Sequence, residues 1–219
     1  TEAARFLLQT QFTATDQEIL AVRTLGYDAW LTSQFNAAID QTGAQWLTLN
    51  GHATPNNTSN YFNPVFGDWM AWNQLLPGTG QVRKRLALAL SEFFVVSLNP
   101  IDGFWPPMLI AGYWDLLNEK AFGNFRTLLE DISLNPAMGF FLNTKGNLKE
   151  DVASGRLPDE NYAREIMQLF SIGLYELNLD GTVKTNAQGQ PIETYVQSDI
   201  TNLARVFTGY DWDYSKVTQ

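Results

Sequence analysis

The chain contains no cysteine and one histidine, and its 14 Lys and Arg are outnumbered by 23 Asp and Glu over 219 residues. The missing thiols exclude disulfides, thiol catalysis and thiolate metal sites, and leave the compartment open. The shortage of cations gives a formal net charge of −9 and a pI near 4.5. That balance argues against nucleic acid or an anionic membrane as main partner, because phosphate binding needs clustered Lys and Arg. Long apolar runs are also missing. The longest candidate, around Leu86 to Leu98, is broken by Ser91 and Glu92, so no membrane span is expected. Phosphate-cradling glycine loops, zinc signatures and a serine-nucleophile elbow are absent; no cofactor and no metal site are expected. The first residue is Thr1, with no methionine and no signal-like segment after it, which gives the expectation of a processed or trimmed product.

What is abundant is aromatic: fourteen Phe, eight Tyr and seven Trp. A minimal helical bundle needs fewer, so some should line a groove or a contact with more protein. At this length a sizeable core is affordable, and one helical domain over residues 1–219 is expected.

Helical spacing dominates. Thr15-Asp-Gln-Glu18 is a capping box that opens a helix stopping at Gly26, and Tyr27 to Ala38 reads as the next helix. Residues 40–64 read as a polar loop containing His52, a lone histidine of the kind that is usually solvated, and two glycosylation sequons at Asn56 and Asn57. Gln81 to Ser97 is basic at its start and apolar afterwards, the pattern of a central core helix. Because cations suit the other end of a helix, Arg83 or Arg85 is expected to pair with a distant acid. Asn124 is placed to cap Phe125 to Ser133, and residues 143–157 form a second polar loop.

Pro158 to Leu174 carries two stripes at helical spacing: Tyr162, Ile166, Leu169 and Phe170, and beside them Asn161, Arg164, Glu165 and Gln168. After Leu174 the period changes, and turn signals at Asp180-Gly181 and Gly189 predict a β-hairpin near residues 175–196. Asn178, Asp180 and Gly181 faintly echo a calcium loop, but a hairpin turn is the better reading. No internal repeat is read. The expected fold class is mainly α, a multi-helix globular bundle with one inserted hairpin.

Several blocks together resemble a bacterial family catalogued as domain of unknown function 1800. They include Arg85-Leu-Ala-Leu-Ala-Leu-Ser-Glu92, Ala121-Phe-Gly-Asn-Phe-Arg126, Asn135-Pro-Ala-Met138, Pro158-Asp-Glu-Asn-Tyr-Ala-Arg-Glu165, and Asp199 through Ala204-Arg205 to Thr208-Gly209. The resemblance implies an exported, largely helical protein, secreted, periplasmic or at the cell surface, of which this chain is the N-terminal half. Phe170 stands where many members have histidine.

Two functional readings follow. In one, Asn124, Arg126, Asn143, Asn147, Lys149, Asn161, Arg164 and Glu165 form a buried structural network or bind a polar ligand, in a binding or structural module whose partner is protein. The alternative is a carboxylate-dependent hydrolase of a polar polymer such as polysaccharide, with Glu165, Glu160 or Asp115 as the acids. On the structural reading, Glu165 is expected to pair with Arg126 or Arg85.

Overall fold

Side-chain caps decide where the early helices begin. A computed structural model describes residues 1–53, 62–76, 78–97, 105–211 and 213. The sequons at Asn56 and Asn57 lie outside the described residues. Eleven helices occur among those residues, and extended backbone is confined to isolated bridges, with no sheet. The protein is mainly helical. Its contacts divide into two compact units, Thr1–Ala137 and Met138–Gln219.

In the first unit, α1 (Glu2–Thr10), α2 (Asp16–Leu25) and α3 (Tyr27–Phe35) bury Ala3, Leu7, Val22 and Trp30 together. The predicted capping box is present: the Thr15 hydroxyl accepts from Glu18 N–H at 3.3 Å, and the Glu18 carboxylate accepts from Thr15 N–H at 2.7 Å. A second box corrects the loop expected over residues 40–64. Thr42 and Gln45 exchange the same two bonds at 3.1 and 3.0 Å and open α4 (Gly43–Leu49). The surrounding Gly, Asn and Pro residues mask this Thr-x-x-Gln signature in the sequence.

Next come α5 (Val65–Leu75), α6 (Gln81–Phe93), α7 (Pro106–Lys120) and α8 (Phe125–Ser133). The central helix is α7, not α6 as the sequence suggests. It buries residues from Pro106 in its first turn to Asn118 in its last, and packs against α4, α5, α6 and α8. Two prolines in its first turn cost nothing, since the N–H groups they lack would be orphaned there.

The basic start of α6 serves the carbonyl ends of other helices. Arg85 donates to the Gln11 carbonyl beyond α1 at 2.9 Å. Arg83 donates to Asn118 O in the last turn of α7 at 3.0 Å, and to Phe35 O and Ala37 O at the end of α3 at 3.4 Å. Helix C-termini carry negative partial charge, so cations unsuited to their own helix suit these three. The residue that pairs with an acid is Lys84, between them. Its ammonium lies 3.3 Å from Asp40 with 7% of its side chain exposed. Asp40 also accepts from Thr79 N–H at 2.8 Å. A Cβ on Gly78 would fall within 2.8 Å of the Lys84 ammonium, so glycine makes room for the pair.

The helix α9 (Pro136–Phe141) spans the division between the units. The second unit packs α10 (Asn161–Gln168) on α11 (Gln197–Val206) through Ala163, Ile200 and Ala204. Gly173, at φ 74°, turns the chain out of α10, its N–H reaching Met167 O at 2.9 Å. Beyond it the expected hairpin is replaced by three short extended segments. Glu176 N–H donates to Ile192 O (2.9 Å), Ile192 N–H to Lys184 O (3.0 Å) and Lys184 N–H to Glu176 O (2.8 Å), a closed ring of three bonds. Two matching turns join the segments, with Gly181 N–H on Asn178 O and Gly189 N–H on Asn186 O, both at 3.0 Å. This Asn-x-x-Gly pair, eight residues apart, is a short internal repeat that the sequence reading passed over. Two turns delimit three segments, each too short to form a ladder; a hairpin needs one turn and two longer strands.

Candidate functional site

The polar residues singled out from the sequence separate into distinct local structures. Asn124 caps α8, its side-chain oxygen accepting from Arg126 and Thr127 N–H at 3.0 and 3.3 Å, and the Arg126 side chain is exposed. Asp115 lies on α7 with its carboxylate over the start of α4, accepting from Gly43 N–H at 2.6 Å and Ala44 N–H at 3.0 Å. Burial raises its pKa above the ordinary carboxylate value, against the hydrogen bonds from Ala44, Gly43 and Thr42, which lower it. A Cβ on Gly43 would approach Met70 Sδ to 2.7 Å, so glycine permits this close contact.

In the second unit, Asn147 pins the polar loop. Its side-chain oxygen accepts from Asp159 N–H (2.9 Å), and its amide donates to Phe207 O (3.0 Å) and Asp159 O (3.3 Å). Asn143, in the left-handed conformation at φ 60°, donates to the Asp159 carboxylate at 3.2 Å. Both line an open cleft of about 390 Å³ with Lys145, Arg156 and Asp159. Asn161 is exposed and donates its N–H to Asp159 at 2.8 Å, and Lys149 is exposed with its carbonyl accepting from Arg156. The cleft therefore gathers Asn143 and Asn147 of the predicted set, and not Asn161, Arg164 or Glu165.

Arg164 and Glu160 join α10 to α11 instead. Glu160 accepts from Thr201 Oγ1 (2.8 Å), Gln197 Nε2 (2.9 Å) and Arg164 (3.1 Å). The Thr201 hydroxyl first, then the Gln197 amide, hold its carboxyl below the ordinary range. Glu165 departs from expectation. It makes no ion pair among the described residues, and its Oε2 is buried without a hydrogen-bond partner. Arg85, one proposed partner, is instead on the Gln11 carbonyl and over the Phe12 ring. At the turn that echoed a calcium loop, Asp180 accepts from Thr182 N–H and Oγ1 at 3.0 and 2.7 Å, an ordinary turn bond.

His52 is not solvated in the way a lone loop histidine suggests. Its ring stacks on Phe66 at 3.9 Å and meets Trp46 and Trp69 at 5.7 and 6.1 Å. The same helix α5 turns Trp69, Trp72 and Leu76 outward, 53%, 62% and 62% exposed, at the i, i+3, i+7 spacing of one stripe. Phe62, just before α5, is exposed as well. The excess of aromatics read from the sequence finds a place here, although composition could not say which rings would face outward.

No helix among the described residues is long and apolar enough to cross a membrane. Compared with known proteins, residues 5–219 match the model of a family described as Protein of unknown function (DUF1800). No curated protein and no solved structure matches the chain.

Proposed function

The chain belongs to the DUF1800 family, and from that premise we propose that it is a binding module of a larger protein or assembly. The observation that carries this reading is the exposed stripe of Trp69, Trp72 and Leu76 along α5. Indole rings are costly to leave in water, and aromatic residues are enriched where proteins meet. The partner is protein, either further chain of the same polypeptide or another subunit, working at a secreted, periplasmic or cell-surface location. For that location the family resemblance is the support.

The hydrolase reading is less well supported. Asp115 is engaged by the start of α4, and Glu160 by Thr201, Gln197 and Arg164. Both carboxylates are committed to hydrogen bonds within the fold. Glu165, whose Oε2 has no such bond, lines neither the cleft at Asn143 and Asn147 nor one with a second carboxylate facing it among the described residues.

Native mass spectrometry of the full-length protein, alone and with co-purifying partners, tests the proposal. We expect an association that Trp69→Glu/Trp72→Glu abolishes while leaving the thermal unfolding midpoint unchanged. Wild type and variant that are equally monomeric and partner-free, with Trp69 and Trp72 fully accessible to an indole-modifying reagent in the full-length protein, would sink it.

A further inference from the structure

The first unit holds a second feature that the aromatic stripe does not use. A cleft of about 270 Å³ opens where the end of α1, α2, α3 and the turn before α6 converge. Four glutamines line it, Gln11, Gln17, Gln34 and Gln81, with Thr79 and the Trp30 indole. They come from four separate stretches of chain, so helical spacing alone could not reveal the cluster.

Its members divide into two groups. Gln11 and Gln81 are buried and fixed: Gln11 Nε2 donates to Glu18 Oε1 at 2.7 Å and to Thr13 O at 2.9 Å, and Gln81 Nε2 to Gly78 O at 3.3 Å. Gln17, Gln34 and Thr79 are more accessible, and their side chains hydrogen-bond no protein group among the described residues. Such a site has a fixed floor and an uncommitted polar rim.

The charge pattern narrows the ligand. Among the described residues no Lys or Arg lines the cleft, so an anion finds no cation to pair with there. Glu18 does line it, but its two oxygens already accept from Gln11, from the Thr13 hydroxyl, and from the Thr15 N–H and hydroxyl. A cation would have to displace those donors. What remains are primary amides, each presenting a donor pair and an acceptor. Vicinal hydroxyls, which donate and accept on adjacent carbons, match an amide edge. A peptide backbone presents a similar donor–acceptor pair, and N-acetylglycine methylamide is the control that separates the two.

We propose that the cleft between α1, α2, α3 and the turn before α6 binds a neutral sugar unit, with Gln17 and Gln34 reading its hydroxyls. The volume suits a single ring, at the small end of ligand pockets. This site is separate from the α5 stripe, so either proposal can fail without the other.

The test is saturation-transfer NMR and calorimetry on the intact protein. The probes are methyl glycosides of glucose, galactose, mannose and N-acetylglucosamine, with glucuronate, glucosamine and N-acetylglycine methylamide as charged and peptide-like controls. At least one neutral glycoside should bind. Gln17→Ala and Gln34→Ala should each weaken it by roughly tenfold, the effect of one lost ligand hydrogen bond. Both variants should melt as wild type does, because neither amide supports the fold, and Gln188→Ala, in an exposed turn, should bind normally. The proposal is overturned if no neutral glycoside binds, if binding survives the Gln17→Ala/Gln34→Ala double change, or if the charged or peptide-like controls bind as well as the sugars.

Discussion

The two units are held together by different means. In the first, large buried side chains form the core (Leu7, Leu47, Met70 and Leu117 are fully enclosed), and at the start of α6 Arg83 and Arg85 tie the backbone ends of other helices to it while Lys84 pairs with the Asp40 carboxylate. In the second, Ala163, Ile200 and Ala204 bring α10 and α11 close with Met167, Tyr195 and Leu203 packed around them, and Tyr162 is enclosed against the Phe207 and Phe170 rings. Hydrogen bonds between the Asn147 side chain and backbone fix the loop beside this core. Both units have a buried apolar core; they differ in the polar groups that tie loops and helix ends to it, charged side chains in the first and a primary amide, which donates and accepts at once, in the second. The comparison predicts that the most damaging single polar changes are electrostatic in the first unit and amide-based in the second.

Asp40→Ala should have the largest effect. It leaves the buried Lys84 ammonium without its counter-charge and Thr79 N–H without its acceptor. Removing one partner of a buried pair costs about 3–5 kcal/mol, and the low end, about 3 kcal/mol, is expected here because 30% of the Asp40 side chain is exposed. Six of the seven tryptophans lie in the first unit, so urea unfolding followed by tryptophan fluorescence reads it. Lys84→Met, which removes the buried charge and keeps the apolar stem, should cost distinctly less. If the two variants are equally destabilised, the pair is not the source of the effect.

Asn147→Ala comes next. It deletes three hydrogen bonds at a residue 8% exposed and strands the Asp159 N–H. A loss of about 2–3 kcal/mol is expected, confined to the second unit. The absence of cysteine makes the measurement direct. Ala204→Cys places a lone thiol in the α10–α11 contact, and its labelling rate reports opening of that unit alone. Faster labelling with unchanged tryptophan unfolding is the expected pair of results; a matching loss in both signals would mean that the units do not unfold separately.

Local signals were legible in the sequence and distant ones were not. The Thr15–Glu18 box and the Asn124 cap each depend on residues within a few positions, and each is present as read. The partner of a basic residue on α6 is not a local matter. Which of Arg83, Lys84 and Arg85 turns toward Asp40 depends on the rotation of a helix whose contacts lie 35 to 74 residues away. The same holds for the glutamine cleft, whose members come from four stretches. The closed ring around Glu176, Lys184 and Ile192 is hidden for another reason: the segment has two turns, and each extended stretch is too short to show the alternation of a strand.

The smallest effect concerns pH, and the two units should answer it with opposite signs at one residue each. Glu160 is held below the ordinary carboxylate range, first by the Thr201 hydroxyl and then by Gln197. Its stabilising contribution is complete above the unfolded pKa and is lost as pH falls through the lower folded value. Asp115 is raised by burial, so the folded protein binds that proton more tightly than the unfolded chain. Its contribution is complete below the unfolded pKa and is lost as pH rises through the folded value. Asp40 and Glu18, both held low, oppose Asp115 within the first unit, so the comparison must be made by difference against variants. Glu160→Gln should flatten the acid limb of Ala204→Cys labelling, and Asp115→Asn should remove a decline on the higher-pH side of tryptophan-detected stability. Each slope should be well under the ~1.4 kcal/mol per pH unit that one full proton supplies, because Glu160 is partly solvated and the hydrogen bonds at Asp115 offset its burial. An acid limb unchanged by Glu160→Gln would mean that Thr201 and Gln197 do not hold α11 to α10 through that carboxylate, and the contrast between the units would then rest on Asn147 alone.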